Sequence, residues 1–565
     1  MKKFMKTAAP VLAAMLVFTG CSQSASSENG KETSTNIQAE ADETVSGTEI
    51  SAEEQKAESG RQSSGMSSAV ELPEDRITIV LSDEQITVDG EVISTDSGSA
   101  VYAGADIIYY EKGKDETYGE GDEEDAHSAQ EAAEHTVITI TKPGTYEISG
   151  SISKGQVAID LGEDAEENPE AVINLVLNNA EISCSVAPSV VVLNAYECGS
   201  DDTENASPQV DTKAAGFNLI LAKDSENTVN GSYVAKIYKD GTTKEDVEKD
   251  EAKKKYKFDA AIDSQVSFNI ESEENGSLTV NAENEGISSA LHMTINGGNI
   301  VINSADDSIN TSEDYVSVLT INGGVITCDS GLGDEGDGID SNGYITMNGG
   351  YVIACANAGS QDSGIDSDLG IYINGGTLLA SGNMYDQVSQ DSAQQFAVFS
   401  FGQPVKEGEL IMITDEKDQP VTAFSAVNDY SIVVYSSPEL AEGTYHLYKV
   451  SSVEGDLNGS IYTNITDYKD AVQLQYTLAS MTRGFGGPMP EGMEFPKEGR
   501  PEMPEGMELP EGKVPAMAEG EIKGKGGRPM GGDRGGAGMG EDTEPSAEFV
   551  LSKEAYQFGS IAEKE

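Results

Sequence analysis

Leu291, Met293 and Ile295 alternate with His292, Thr294 and Asn296. In an extended chain this puts the apolar side chains on one face and the polar ones on the other. The same alternation returns with Leu319 and Ile321, Ile345 and Met347, and Ile371 and Ile373. A period of two predicts strands, not helices. A second strand follows in each unit, with Ile300 and Ile302, Ile326 and Cys328, Val352 and Ala354, and Leu378 and Ala380 on its inward side. A third short segment carries Ile287, Ile309, Ile339 and Ile365. Asn-Gly-Gly stands between the first two strands of each unit: TINGG at 294–298 and 320–324, TMNGG at 346–350, YINGG at 372–376.

Asn296, Asn322, Asn348 and Asn374 are spaced 26 residues apart. A fixed period in this range marks a solenoid. At ~3.3 Å per residue, three short strands and their corners close one coil of a three-sided parallel β-helix. A leucine-rich repeat would need a Leu ladder and a helix, and a propeller blade a longer unit. The repeat extends upstream, where Ile262 and Ile270 precede Ile287 and Ile295 by 25 residues. VINLVLNNAEI at 172–182, VVVLNA at 190–195 and FNLILA at 217–222 are also strand-like. The corner asparagines are expected to hydrogen-bond the backbone of the neighbouring coil as a structural ladder. The glycine pairs supply backbone angles that other residues resist. Residues 308–315 carry an insertion, and solenoid insertions map to loops on one face.

Outside the repeats the composition changes. MKKFMKTAAPVLAAMLVFTGC reads as a secretion signal, with Lys2, Lys3 and Lys6 before a short apolar run. Its end, Phe18-Thr19-Gly20-Cys21, resembles a bacterial lipobox with Cys21 as the lipidated residue. The expected organisation is a signal peptide (1–21), an acidic tether (22–70), an N-terminal β cap (71–150) and the β-helix (151–394). A C-terminal β cap (395–480) and a low-complexity Gly/Pro/Met/Glu tail (481–565) complete it. The tether has almost nothing to bury and is expected to be disordered. Its roughly 49 residues span about 40 Å root mean square. Terminal units must be atypical, because open β edges invite aggregation.

The chain of 565 residues carries a formal charge of −64, which disfavours nucleic acid as a partner. Acidic residues gather at the corner before the third segment. One group is Asp306, Asp307, Asn310, Glu313 and Asp314; the next is Asp334, Asp337, Asp340 and Asn342; the third is Asp362, Asp366 and Asp368. Coils stack ~4.8 Å apart, so these carboxylates repel unless cations sit among them. Calcium suits such a set of oxygens.

From Phe258 through Val405 there is neither Lys nor Arg. β-Helical lyases need a cationic base, and the coils supply none. Paired carboxylates serve glycoside hydrolases, yet Asp306–Asp307 are neighbours on one turn and not a facing pair. His292 reads as a surface histidine. The lysines from Lys236 to Lys257 alternate with acids and read as a solvated loop, with an anionic-sugar clamp as the alternative. Of the cysteines, Cys328 faces inward and Cys355 outward, which argues against their pairing. Cys184 and Cys198 are close enough in sequence to bridge, though spacing does not establish it.

ITITKPGTYEISGSI at 138–152, FNLILAKDSENTVNGS at 217–232, DAAIDSQVSFNI at 259–270 and NGSLTVNAENEGI at 275–287, with the NGG and DGID units, resemble one family. It is the carbohydrate-binding β-helix family of bacterial, largely clostridial, cell-surface lipoproteins. The resemblance covers roughly residues 77–480. It implies a right-handed parallel β-helix with bound calcium, shaped like pectate lyases, and non-catalytic attachment to plant-type polysaccharides such as cellulose or pectin. Members often carry Lys or Arg just after the third-segment Gly-Ile. Here those positions read SSA, NTS, DSN and DSD, which leaves calcium bridging as the route to an acidic sugar. Tyr315, Tyr344, Tyr351 and Tyr372 are candidate sugar-stacking residues. The expected protein is a monomer, lipid-anchored to the outer face of the bacterial cell membrane and binding polysaccharide. A uronate lyase or hydrolase, and an adhesive protein for the cell wall or a protein partner, are the alternatives.

Overall fold

In-register parallel pairing organises the middle of the chain. The computed structural model describes residues 75–479 and 542–564. The signal segment, Cys21 and the acidic tether lie outside them. Among the described residues the chain is all-β, with short α-helical turns at Ala129–Ala132 and Lys244–Glu248.

Three ladders run through the repeats. In the first, Phe268–Ser272, His292–Ile295, Val318–Ile321, Tyr344–Met347 and Gly370–Ile373 pair in parallel, with Met293, Leu319, Ile345 and Ile371 in register. In the second, Ser277–Ala282, Asn299–Asn303, Val325–Asp329, Tyr351–Cys355 and Thr377–Gly382 pair with Ile300, Ile326, Val352 and Leu378 in register. In the third, Val190–Asn194, Ala260–Ser264, Glu285–Ser289, Ile309–Thr311 and Asp340–Ser341 follow one another, with Ile262, Ile287 and Ile309 aligned. Each aligned isoleucine is buried in one common core. A full burial of this kind stabilises by ~1.5–3 kcal/mol. A one-residue slip would turn every such side chain to the other face, so the alternation fixes the register.

The corner asparagines bond to one another, not to backbone. Asn322 Nδ2 donates to Asn296 Oδ1 (2.8 Å), Asn348 to Asn322 (2.9 Å) and Asn374 to Asn348 (3.0 Å). The chain of amides ends on Glu271, which accepts from Asn296 at 2.6 Å. The expectation of side-chain-to-backbone bonds fails because the corner backbone is already engaged: Asn322 N–H donates to Ile295 O and Asn348 N–H to Ile321 O. Two more ladders run through Asn174, Asn218 and Asn269, and through Asn230, Asn281 and Asn303. The second glycine of each corner has positive φ: Gly298 +104°, Gly324 +93°, Gly350 +86° and Gly376 +88°.

The sheets are mixed. At the N-terminal end Val101–Gly104 is antiparallel to Thr136–Ile140, which in turn runs parallel to Gly155–Asp160. Past the last repeat, Thr377–Gly382 pairs antiparallel with Tyr430–Ser436, and antiparallel strands continue to Val472–Leu478. The expected low-complexity tail ends before its predicted limit. Phe549–Leu551 pairs with Gly443–Val450, and Gln557–Glu563 lies between Phe396–Val405 and Val472–Leu478. Phe549, Leu551, Phe558 and Ile561 are buried there. Their apolar spacing was hidden by averaging composition over the whole segment. Residues 480–541 lie outside the described residues.

Asn348→Ala removes one amide donor and one acceptor at an exposed corner and is expected to cost ~1–2 kcal/mol. Ile345→Ala, in the core beneath it, is expected to cost ~2–5 kcal/mol. Denaturant titration of both variants checks this. A larger loss from Asn348→Ala would show that the ladder, not the core, holds the repeats.

Candidate cation and sugar site

The third ladder aligns two polar columns around its isoleucines. One position after each isoleucine stand Asp263, Ser288, Asn310 and Asp340, in register. Asp366 continues this column, since its N–H donates to Ile339 O at 2.8 Å. Two positions before the isoleucines stand Glu285, Asp307 and Asp337.

Asp307 and Asp337 face the next repeat. Asp307 Oδ1 accepts the Asp337 N–H at 2.8 Å, and Asp337 Oδ1 accepts the Ser363 N–H at 2.6 Å. Asp362 Oδ2 accepts the Gly336 N–H at 2.8 Å. The columns meet at Asp337, Asp340 and Asp366, each of which offers an oxygen within 4.8 Å of the others. Calcium–oxygen bonds run ~2.3–2.6 Å, so ligands on opposite sides of one ion stand about 5 Å apart. The spacing therefore fits a single calcium-sized ion. Burial holds the Asp337 carboxyl well above the usual carboxylate range, and Asp362, Asp366, Asp307 and Asp340 add to it. Asp263 is pushed up to about 7, first by burial and then by Asp259. Asn310 supports the same reading: Nδ2 donates to Glu285 Oε1 at 3.0 Å, while its buried Oδ1 has no hydrogen-bond partner among the described residues.

The other acidic candidates do not join this group. Asn342 Nδ2 donates to Asp314 Oδ1 at 2.7 Å, which makes a separate pair on the inserted corner beside Glu313. Asp334 is exposed, and Asp306 and Asp368 are half-buried on neighbouring turns. Asp263 and Glu285 were missed by sequence reasoning, although each occupies a column position readable from the repeat.

The four candidate tyrosines each touch protein neighbours. Tyr344 is buried with Val318 and Leu369, packed beneath Ala206 and Val210. Tyr372 lies against it, with ring centres 6.2 Å apart. Tyr351 donates its hydroxyl to Asn458 O at 3.0 Å. Tyr315 occupies a positive-φ corner and is half-buried. The lysine segment folds as a hairpin of Val234–Tyr238 and Lys254–Phe258. Lys236, Lys244, Lys249, Lys255 and Lys257 pair there with Glu120, Glu116, Glu245, Asp240 and Asp259. Five of the segment's eight lysines are thus engaged by acids of this chain.

A family model described as carbohydrate-binding domain-containing protein matches residues 134–418, half of the chain and the whole of the acidic columns. The chain belongs to that family. Among solved structures, it is similar to a polysaccharide lyase-like protein from C. thermocellum, recorded as a gadolinium derivative. The identity is 19% and the TM-score 0.31, over 54% of this chain and 89% of that one. Comparison with curated proteins found no match.

In this carbohydrate-binding family member His292 is a core residue, contrary to its expected place on the surface. It is 3% exposed, and its Nδ1 accepts the Val318 N–H at 3.1 Å. A strap from residues 199–212 covers it. Gly199 packs on the imidazole, Pro208 O accepts the Thr346 hydroxyl, and the Thr212 hydroxyl donates to Asn269 Oδ1. Cys355, expected to face outward, is likewise buried, with Asn428 bonded to the adjoining Ala356 O. All four described cysteines are free thiols, so Cys184 and Cys198 are not bridged.

Burial lowers the His292 pKa to about 4. A depressed histidine contributes stability above its unfolded pKa of ~6.5 and loses it as pH falls towards the folded value. The loss is on the order of 3 kcal/mol. His292→Asn keeps an acceptor for Val318 but does not titrate. Thermal melts between pH 7 and 4 should show wild type losing more stability than this variant. Equal losses would contradict the buried, neutral imidazole.

Proposed function

We propose that this chain is a non-catalytic, calcium-dependent polysaccharide-binding protein of the bacterial cell surface. Its repeats wind as a right-handed parallel β-helix. The carrying observation is the convergence of Asp337, Asp340 and Asp366, in a stretch with no Lys or Arg from Phe258 through Val405. Such carboxylates need a cation, and those three would hold calcium. Bound there, calcium neutralises the like charges and supplies a hard acid for sugar hydroxyl or carboxylate oxygens. The family supports a carbohydrate ligand, and plant-type glycans of the cellulose or pectin kind are the proposed class.

This chain's own residues do the positioning. The N–H groups of Asp337, Ser363 and Gly336 fix carboxylates of adjacent repeats. The ladder backbone then keeps those repeats from moving apart. The proposed anchor is lipidated Cys21, and the segment from 22 to 70 holds the binding part away from the membrane. The protein acts as a monomer at the outer face of that membrane.

One observation favours a hydrolase as the second reading. Asp337, raised by burial and by its neighbours, resembles a general acid beside other carboxylates. Reducing ends released from a soluble glycan, and lost in Asp337→Asn, would support it.

Retention of the full chain on insoluble cellulose and pectin should be calcium-dependent. Chelator should abolish it, and Asp337→Asn/Asp366→Asn should weaken calcium binding by at least ~10-fold. Acid should weaken it too, because protons compete with the ion for the same oxygens. Titration calorimetry and pull-down read both effects. Retention indifferent to chelator, or none on any glycan, would overturn the proposal.

A further inference from the structure

On the outer face of the same sheet as the acidic columns, starting at Val191 beside Asp263 and running away from the Asp337–Asp340–Asp366 group, lies a partly enclosed cleft of about 200 Å³. Its floor is apolar, made by Val137, Ala158 and Val191 on neighbouring strands. Tyr102 and Phe258 stand along it as aromatic walls. The space suits one ring, since pockets for drug-sized ligands run ~300–1,000 Å³.

Polar groups with spare bonding capacity surround that floor. Thr139 lines the cleft at 9% exposure, and its hydroxyl meets no partner among the described residues. The same holds for the Tyr102 hydroxyl and the exposed Asp106 carboxylate. Asp160 commits Oδ1 to Gly162 N–H and Asn194 Nδ2, at 3.1 and 2.8 Å, which leaves Oδ2 for a ligand. A binding site has this composition: an apolar floor and a few convergent polar groups.

The charge selects the ligand class. Two carboxylates and no cation line the cleft, so uronates and sulfated sugars are repelled. Hydroxyl donors are favoured, because O–H bonds to carboxylates are short and strong. The C–H face of a sugar ring matches the apolar floor and the aromatic walls.

We propose that this cleft is a subsite for one uncharged pyranose residue, independent of calcium. It rests on the sugar-binding reading above but not on the acidic columns. It gives the protein a second grip, on neutral sugars.

Ligand-observed NMR on the full chain, in excess chelator, tests it with methyl β-glucopyranoside, methyl β-galactopyranoside and methyl β-mannopyranoside. Glucuronate and ethylenediamine are the controls. At least one neutral glycoside should bind saturably with Kd in the millimolar range, as expected of a weak single-ring contact (~4 kcal/mol). Thr139→Val is isosteric and removes a hydroxyl that no protein group satisfies, so the fold should be untouched. It and Asp106→Ala should each weaken binding about tenfold. No saturable binding of any neutral glycoside, equal binding of glucuronate, preferential binding of ethylenediamine, or wild-type affinity in both variants would overturn it. Loss of calcium-dependent polymer retention with glycoside binding intact would sink only the calcium reading. The reverse pattern would sink only the cleft.

Discussion

Parallel in-register pairing sets equivalent side chains about 4.8 Å apart, so whatever one repeat presents, the next must tolerate. Isoleucine tolerates itself well, and the core follows. Asparagine also tolerates itself, because an amide carries both donor and acceptor and can pass a hydrogen bond along a column. An ionised aspartate cannot, because it only accepts. Where the chain stacks Asn it makes a closed structural ladder, as from Glu271 to Asn374. Where it stacks Asp it makes a column of like charge that calls for a proton or a cation, and Asp337 is raised first by burial and then by its acidic neighbours. Structure and chemistry here come from one spacing and differ only in the side chain placed on it.

Much of this was legible in the sequence. The alternation gave the strands, and the 26-residue spacing of Asn296 to Asn374 set which residues pair. Once each third-segment isoleucine is aligned, the positions one after and two before it define both acidic columns. Asp263 and Glu285 could have been found that way. The ladders through Asn174–Asn218–Asn269 and Asn230–Asn281–Asn303 were harder. Their steps of 44, 51 and 22 residues are stretched or shortened by insertions, so no fixed period exposes them.

What lay beyond the sequence was contact between distant segments. Alternation tells which way a side chain leaves its strand, but not what is laid over it. Tyr344 and His292 leave outward and are then covered by a strap, with Pro208 reaching Thr346 across 138 residues of chain. Cys355 is covered in the same way by the segment around Asn428. The cleft beside Tyr102 also needs the outer face of early strands, a loop from before them and Phe258 from well after. Periodic sequence thus makes the acidic columns, and aperiodic segments complete the cleft.

Anomalous diffraction from crystals of the full chain grown with millimolar calcium is the most direct test of the stacked-carboxylate account. It predicts an ion peak among the oxygens of Asp337, Asp340 and Asp366. Clear density for those three side chains with no peak between them, and the carboxyls instead sharing protons with one another, would contradict it.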